Sequence, residues 1–353
     1  MALVKGWQEE ASNVVPTSAG CARAQHGGRD DRADALPPLP GPGDHLRCSW
    51  SLPATGTTWQ VRTRQPLEAQ PRAAVTALVE QFERTWSRFL PSSLVRQAAD
   101  GRLGSGPVLV DLPAGSSRML DLYDRLYRLT NGRLDPLAGA DLVELGYSPD
   151  LDFRVRDGAA HRLGATHGRP TWGTTVSHAG DRLRLETPAL VDVGAVGKGF
   201  LADLVGALLA DHGVEELVVD ASGDLLVRSS RPVRVGLEQP GRSGHVVGAV
   251  EICRGAVCGS GTDRRTWGHG LHHILDAVTG LPVQQVAATW VVASSCAVAD
   301  GLATALFTTA PQDLARATRG APGLDYDFVL LRTDGSASVS RGFRNLPAEL
   351  FTS

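Results

Sequence analysis

The chain has 353 residues and a formal net charge of -3, with 35 Lys+Arg against 38 Asp+Glu, so no basic excess points to nucleic acid. Apolar residues make up 42%, which fits a globular core. No segment reaches the ~18 consecutive apolar residues of a membrane-spanning helix. The five cysteines (Cys21, Cys48, Cys253, Cys258 and Cys296) form no regular disulfide framework, and Cys253 and Cys258 lack a second Cys or His pair at zinc spacing.

Residues 1 to 46 are rich in Gly, Pro, Ser, Ala and charge. Leu36-Pro-Pro-Leu-Pro-Gly-Pro-Gly43 favours extended, polyproline-like backbone, so this tail is expected to be largely disordered. A PxxP ligand for a partner domain is the functional alternative. Glu9, Glu10 and Asp30 interrupt the first thirty residues, and no apolar run marks a signal peptide. Ser18-Ala-Gly-Cys21 has the residues of a lipoprotein cleavage site but no hydrophobic segment before it. A cytoplasmic location is the resulting expectation.

From Cys48 onward the patterning becomes that of a folded domain, expected to run as one unit over 47–353. Thr57-Thr-Trp-Gln-Val-Arg-Thr63 alternates and predicts a strand. Ala74, Val75, Leu78, Val79, Phe82 and Trp86 repeat at helical spacing and predict a helix over 72–86. A second helix is predicted over 119–129, stopped by Asn131-Gly132, a pair suited to a left-handed cap. Residues 150–190 carry weaker strand signals. A helix is then predicted from Gly199 to Leu209. Strands are predicted over 216–220, 233–237, 246–252 and 289–294, and an apolar helix over 297–307. Strands that alternate with tight turns and a few long helices indicate α+β, and they disfavour a fully parallel doubly wound sheet.

Four glycine-marked segments carry the chemistry. In Asp192-Val-Gly-Ala-Val-Gly-Lys-Gly199, Gly194, Gly197 and Gly199 lie between a strand and a helix. Such a turn lets backbone approach an anion, and Lys198 adds a point charge. The spacing is not that of a Walker A loop, and an ordinary strand–helix turn is the plain alternative. Asp220-Ala-Ser-Gly-Asp224 offers two carboxylates on a tight turn, for ligand hydroxyls or simply for bracing the loop. In His273-Ile-Leu-Asp-Ala-Val-Thr-Gly280, His273 has the residue type to take a proton from a hydroxyl, with Asp276 to orient the segment. His269 and His272 stand close by, and spacing does not choose among the three. In Ala299-Asp-Gly-Leu-Ala-Thr-Ala305, Asp300 and Thr304 share a helix face and suit a hard cation such as Mg2+. The plain alternative is that Thr304 bonds its own helix backbone. An Asp in so apolar a stretch is costly to bury unpaired, which favours the cation. Cys296 has no dedicated base and reads as a small buried hydrophobe. Together the segments supply what cleavage of a pyrophosphate ester requires.

In this order the segments resemble the ApbE family of FAD:protein FMN transferases, whose patterns are D-x-G-G-I-A-K-G, N-A-G-G-D, H-I-I-D-P-x-T-G and A-D-A-L-x-T-A. Thr55-Gly-Thr57 is similar to the family's early M-G-T. Ser87-Arg-Phe to Ser93 is similar to S-x-F…S-E, Asn131-Gly-Arg-Leu-Asp-Pro136 to G-G-x-F-D-P, and Ser260-Gly261 to the S-G before the histidine motif. The resemblance runs collinearly over about residues 50 to 310. It implies a T-fold-like α+β enzyme that takes FAD as substrate with Mg2+ and transfers FMN to a Thr or Ser hydroxyl of an acceptor flavoprotein, releasing AMP. It further implies that Asp300, Thr304 and the Gly197 carbonyl hold the metal and that His273 is the base with Asp276 beside it. The FAD site would be lined by Thr55, Gly56, Thr57, Asp135, Gly194, Lys198, Asp224, Ser260 and Gly261. The departures are Thr55 for methionine, Leu94 for glutamate, Ala195 and Ser222 for second glycines, Asp220 for asparagine and Ala277 for proline. They bear on FAD affinity. The alternatives are a FAD pyrophosphatase giving FMN and AMP, a non-catalytic flavin-binding protein, and a P-loop-like hydrolase.

Overall fold

The computed structural model describes residues 7–10 and 45–351. Most of the expected disordered tail therefore lies outside the described residues. Within it, Trp7–Glu10 is a strand that pairs in parallel with Ala337–Ser340.

A ten-stranded sheet organises the chain. From Ala337–Ser340 it runs through Tyr326–Arg332, Val286–Ala293, Val246–Gly261, Asp224–Glu238, Leu217–Asp220 and Thr57–Thr63 to Cys48–Ala54. Ala348–Leu350 pairs with the outer part of Val246–Gly261. All of these pairings are antiparallel, so the parallel alternative is excluded and the α+β expectation holds. A small three-stranded sheet (Val108–Asp111, Arg182–Leu185, Val176–Ala179) accounts for the weak strand signals near 176–185.

The helices cover one face of the large sheet. Ala69–Trp86 and Ser117–Leu129 begin two or three residues before the predicted starts at 72 and 119. Asn131 and Gly132 both take positive φ (52° and 77°), and Gly132 N–H reaches back to Tyr127 O at 2.8 Å, as the Asn-Gly signal requires. Gly197–Asp211 and Cys296–Thr308 are apolar nearly all round because both are sandwiched between the sheet and other helices. They also touch each other closely. A methyl group at Gly199 would lie 2.3 Å from Cys296 O, and the Ser117–Leu129 helix packs as closely on the second of them, where a methyl at Gly301 would lie 2.6 Å from Leu126. The opposite sheet face carries a second core of Val218, Val227, Val235, Val250, Ile252, Trp290 and Val329 under Phe343. No helix among the described residues is long and apolar enough to cross a membrane.

The helix Pro311–Thr318 and the strand Tyr326–Arg332 extend the domain beyond the last predicted element. Two buried carboxylates lie beneath the Gly-rich turn. Asp135 and Asp141, with fully buried side chains, share Arg169 at 3.4 and 2.7 Å. Burial raises both acids above the ordinary 3.8, and the Arg169 charge opposes it. Arg169→Met strands two carboxylates. The expected loss is about 3–5 kcal/mol in urea unfolding at neutral pH. The loss should shrink as pH falls, because a folded-state acid with a raised pKa binds its proton first.

Candidate active site

Each half of the site is carried by a rigid element. The Gly197–Asp211 helix presents Lys198 on its first turn. The Cys296–Thr308 helix presents Asp300 and Thr304 one turn apart. Because Gly199 lacks a side chain, the two helices approach until its N–H donates to Asp300 Oδ2 at 3.0 Å. This amide of the glycine turn, expected to be free for an anion, is therefore taken by the chain's own carboxylate. Gly197 N–H is likewise used, bonding Val193 O at 2.7 Å.

Asp300 is only 2% exposed. Burial is the main cause that raises its pKa well above the carboxylate range. The Asp224 charge adds, while Lys198 and the Gly199 N–H oppose. Lys198 Nζ contacts Asp224 Oδ2 directly. Burial works to discharge this lysine, but Asp224 and Asp300 outweigh it and raise its pKa. The Asp224 side chain is wholly buried, and its Oδ1 has no hydrogen-bond partner among the described residues.

The other strands converge on this cluster. Asp224 faces Cys258 across the sheet, and Ser260 and Gly261 follow on the same strand, opposite Thr289 and Ala288. Thr289 Oγ1 bonds Ala303 O at 2.8 Å and ties that strand to the Asp300 helix. Cys258 and Cys296 are fully buried with sulfurs 3.5 Å apart, and burial is the main cause that holds the Cys258 thiol up. This agrees with reading Cys296 as a small buried residue.

The structure separates the three histidines. His269 is exposed. In His272 both ring nitrogens are spent on backbone, with Nε2 at 2.7 Å from Val283 O and Nδ1 accepting from Ile274 N–H at 3.3 Å. His273 is half-buried, and its Nδ1 is enclosed without a hydrogen-bond partner among the described residues. Burial pushes its pKa from the ordinary 6.5 to about 3. Arg265, His272 and Lys198 add to the shift, and only the Arg265 backbone opposes it. The ring is thus neutral at neutral pH and within range of the Lys198 charge.

Several of the expected residues are placed differently. Asp276 pairs with Arg133, accepts from Val278 N–H at 3.0 Å, and holds the Leu275–Asp276/Leu281–Pro282 hairpin through its carbonyl. No hydrogen bond joins it to His273 among the described residues. Asp135 is spent inside the Arg169 cluster and on the N–H groups of Leu137 and Trp172. Thr55 and Gly56 form a two-residue hairpin turn with both φ positive (51° and 73°). Gly56 and Thr57 border a cleft of about 500 Å³ lined by Val79 and Glu83, and Thr55 N–H donates to Glu83 Oε1 at 2.7 Å. Among the described residues no hydrogen bond links the turn to the Lys198 cluster. Gly194 N–H is held by Asp192 Oδ1 at 2.8 Å, and Asp192 pairs with Arg88 at 2.9 Å.

Thr304 makes no hydrogen bond to the chain among the described residues. Its hydroxyl is therefore not spent on its own helix. No group of three or more His, Cys, Asp or Glu forms a metal cage among the described residues. The available donor set is one carboxylate, one free hydroxyl and backbone carbonyl, with the orphaned Asp224 oxygen near. Such a set fits a hard cation that keeps waters and substrate phosphates as its other ligands.

The profile of the ApbE family matches residues 55–326. The chain belongs to the ApbE family. The FAD:protein FMN transferase of Treponema pallidum (strain Nichols) is 31% identical, over 83% of this chain and 88% of its own. The one from Rhodobacter capsulatus is 29% identical over 74% of this chain, a match that spans only 51% of that protein. The crystal structure of the ApbE protein of Thermotoga maritima superposes with a TM-score of 0.72 at 22% identity, covering 85% of this chain and 98% of its own. That likeness shows the shared α+β fold. The ApbE match opens at the Thr55 hairpin and takes in every candidate residue through Thr304.

Several residues around the candidate site lie outside the sequence motifs. Tyr123 is fully buried, with its hydroxyl against the Ala195 and Val196 backbone. Burial, then Asp192 and Asp300, hold its phenol protonated. Arg133 and Arg265 flank the histidine segment, and Arg265 contacts Tyr147 in an aromatic group with Phe89, Phe153 and Trp267. Asp203 is the one residue of this kind with a visible signal, a single charge in the apolar run from Phe200 to Ala210.

Proposed function

We propose that this chain transfers FMN from FAD to a Thr or Ser hydroxyl of an acceptor flavoprotein, releasing AMP, with Mg2+ at the diphosphate. The observation that carries this reading is the Gly199–Asp300 contact, which sets a buried carboxylate and the free Thr304 hydroxyl beside Lys198. The names of the relatives support the substrate pair.

In this reading Asp300, Thr304 and the Gly197 carbonyl hold Mg2+, which when bound supplies neutralisation of diphosphate charge. Lys198 adds a fixed positive charge for the negative charge that develops on the phosphoryl oxygens. His273 takes the proton of the acceptor hydroxyl. The freed oxygen bonds to the FMN-side phosphorus, and the bridging P–O bond to AMP breaks with its electron pair. Ser260 and Gly261, at the end of the central strand, border the ligand.

Mass spectrometry of a candidate acceptor, incubated with this protein, FAD and Mg2+, tests the proposal. The expected result is one added FMN per acceptor site and an equal amount of AMP. Free FMN plus AMP without acceptor modification would show a pyrophosphatase. Bound flavin that is never consumed would show a carrier.

A further inference from the structure

The helix that carries Asp300 and Thr304 starts at Cys296, and its first N–H groups have no partner within the helix. Two of them are met by one side chain from another helix. Asp203 Oδ1 accepts from Cys296 N–H at 3.0 Å. Its Oδ2 accepts from Ala297 N–H at 2.9 Å and from the Ser295 hydroxyl at 2.7 Å. Ser295 in turn accepts from Val298 N–H. Asp203 lies five residues after Lys198 on the Gly197–Asp211 helix. One rigid helix thus carries both the lysine and the carboxylate that grips the start of the other helix.

We infer that Asp203 is a positioning residue for the cation pair. It fixes the rotation and axial position of the Cys296–Thr308 helix so that Asp300 and Thr304 meet the Gly197–Gly199 turn. This inference rests on the proposed reading of Asp300 and Thr304 as cation ligands. Asp203 itself reaches only the Ser295–Ala297 segment, one turn before Asp300. A carboxylate is needed because two oxygens must accept three bonds, all at a helix N-terminus where negative charge is favoured. Asparagine keeps one acceptor, and alanine keeps none.

The test compares Asp203→Ala and Asp203→Asn with the unaltered protein, without any turnover. Calorimetry with MgCl2 reads cation affinity, and hydrogen exchange reads protection of the Gly199 amide. Both variants should bind Mg2+ about ten- to a hundred-fold more weakly, alanine more so. Both should also expose the Gly199 amide to faster exchange, because its bond to Asp300 lengthens. Leu314→Ala, a core truncation on a neighbouring helix, controls for general loss of stability and should alter neither readout. If Asp203→Ala does not fold, Asp203→Asn decides. Unaltered Mg2+ affinity and unaltered Gly199 protection in a folded variant would overturn the inference. If the unaltered protein fails to bind Mg2+, the proposed cation site falls, and Gly199 exchange alone then decides whether Asp203 positions the helix.

Discussion

Asp300→Asn should lower Mg2+-dependent FMN transfer by about a thousandfold and leave the fold intact. Loss of a ligand to a charge-neutralising cation removes several kcal/mol of transition-state stabilisation, and each 1.36 kcal/mol is about tenfold. The fold survives because the asparagine oxygen still accepts from Gly199 N–H. Stability without Mg2+ should even rise at neutral pH. Asp300 is an acid whose folded-state pKa is raised by burial and by Asp224. Such a group stabilises below its unfolded value of 3.8, and that stability is lost as pH rises through the higher folded value. Asparagine removes the penalty. Initial rates against MgCl2, with thermal unfolding from acid to neutral pH, separate the two effects. Unchanged transfer would remove Asp300 from the cation site, and Asp300→Ala should give the same loss of turnover.

Much of this arrangement was legible because each motif is a local backbone requirement. The Asn131-Gly132 pair signals a left-handed cap wherever it is found, and the structure places one there. The Asp300–Thr304 spacing fixes a shared helix face without knowledge of the partner. The glycines of the Lys198 turn were legible as a close approach, but not what approaches. A neighbouring helix fills the space at Gly199, and Asp300 occupies its amide. That contact spans a hundred residues, and local periodicity carries no trace of it.

The residues that were missed share a cause. Asp203, Arg169 and Arg133 act across long sequence separations on backbone or on other side chains. A charge in an apolar helix reports that a partner exists and does not name it. Asp135 illustrates the opposite case. Its motif context implies a ligand contact, yet burial beside Arg169 commits both its oxygens to the scaffold. Asp276 likewise spends its oxygens on Arg133 and its own hairpin.

His273→Ala should reduce transfer by about 10²- to 10⁴-fold and leave FAD binding in place. The two histidines differ in whether a ring nitrogen is left to spare. His272 cannot take a proton without breaking one of its two backbone bonds, whereas the enclosed Nδ1 of His273 has no partner to lose. With a pKa near 3, His273 is unprotonated across the neutral range. The acidic limb of kcat/KM for FAD should therefore lie well below 6.5, the ordinary value for the group. The same shift has a thermodynamic sign. In the unfolded chain the ring binds a proton below 6.5, while the folded chain resists until about 3. Stability is consequently present above 6.5 and falls as pH drops through that interval. His273→Gln should flatten this dependence, whereas His272→Gln should mainly weaken the hairpin at Val283. Flavin fluorescence on binding, pH–rate profiles and acid unfolding curves for both variants make the comparison. An acidic limb at 6.5 that persists in His273→Gln would assign the proton transfer to another group.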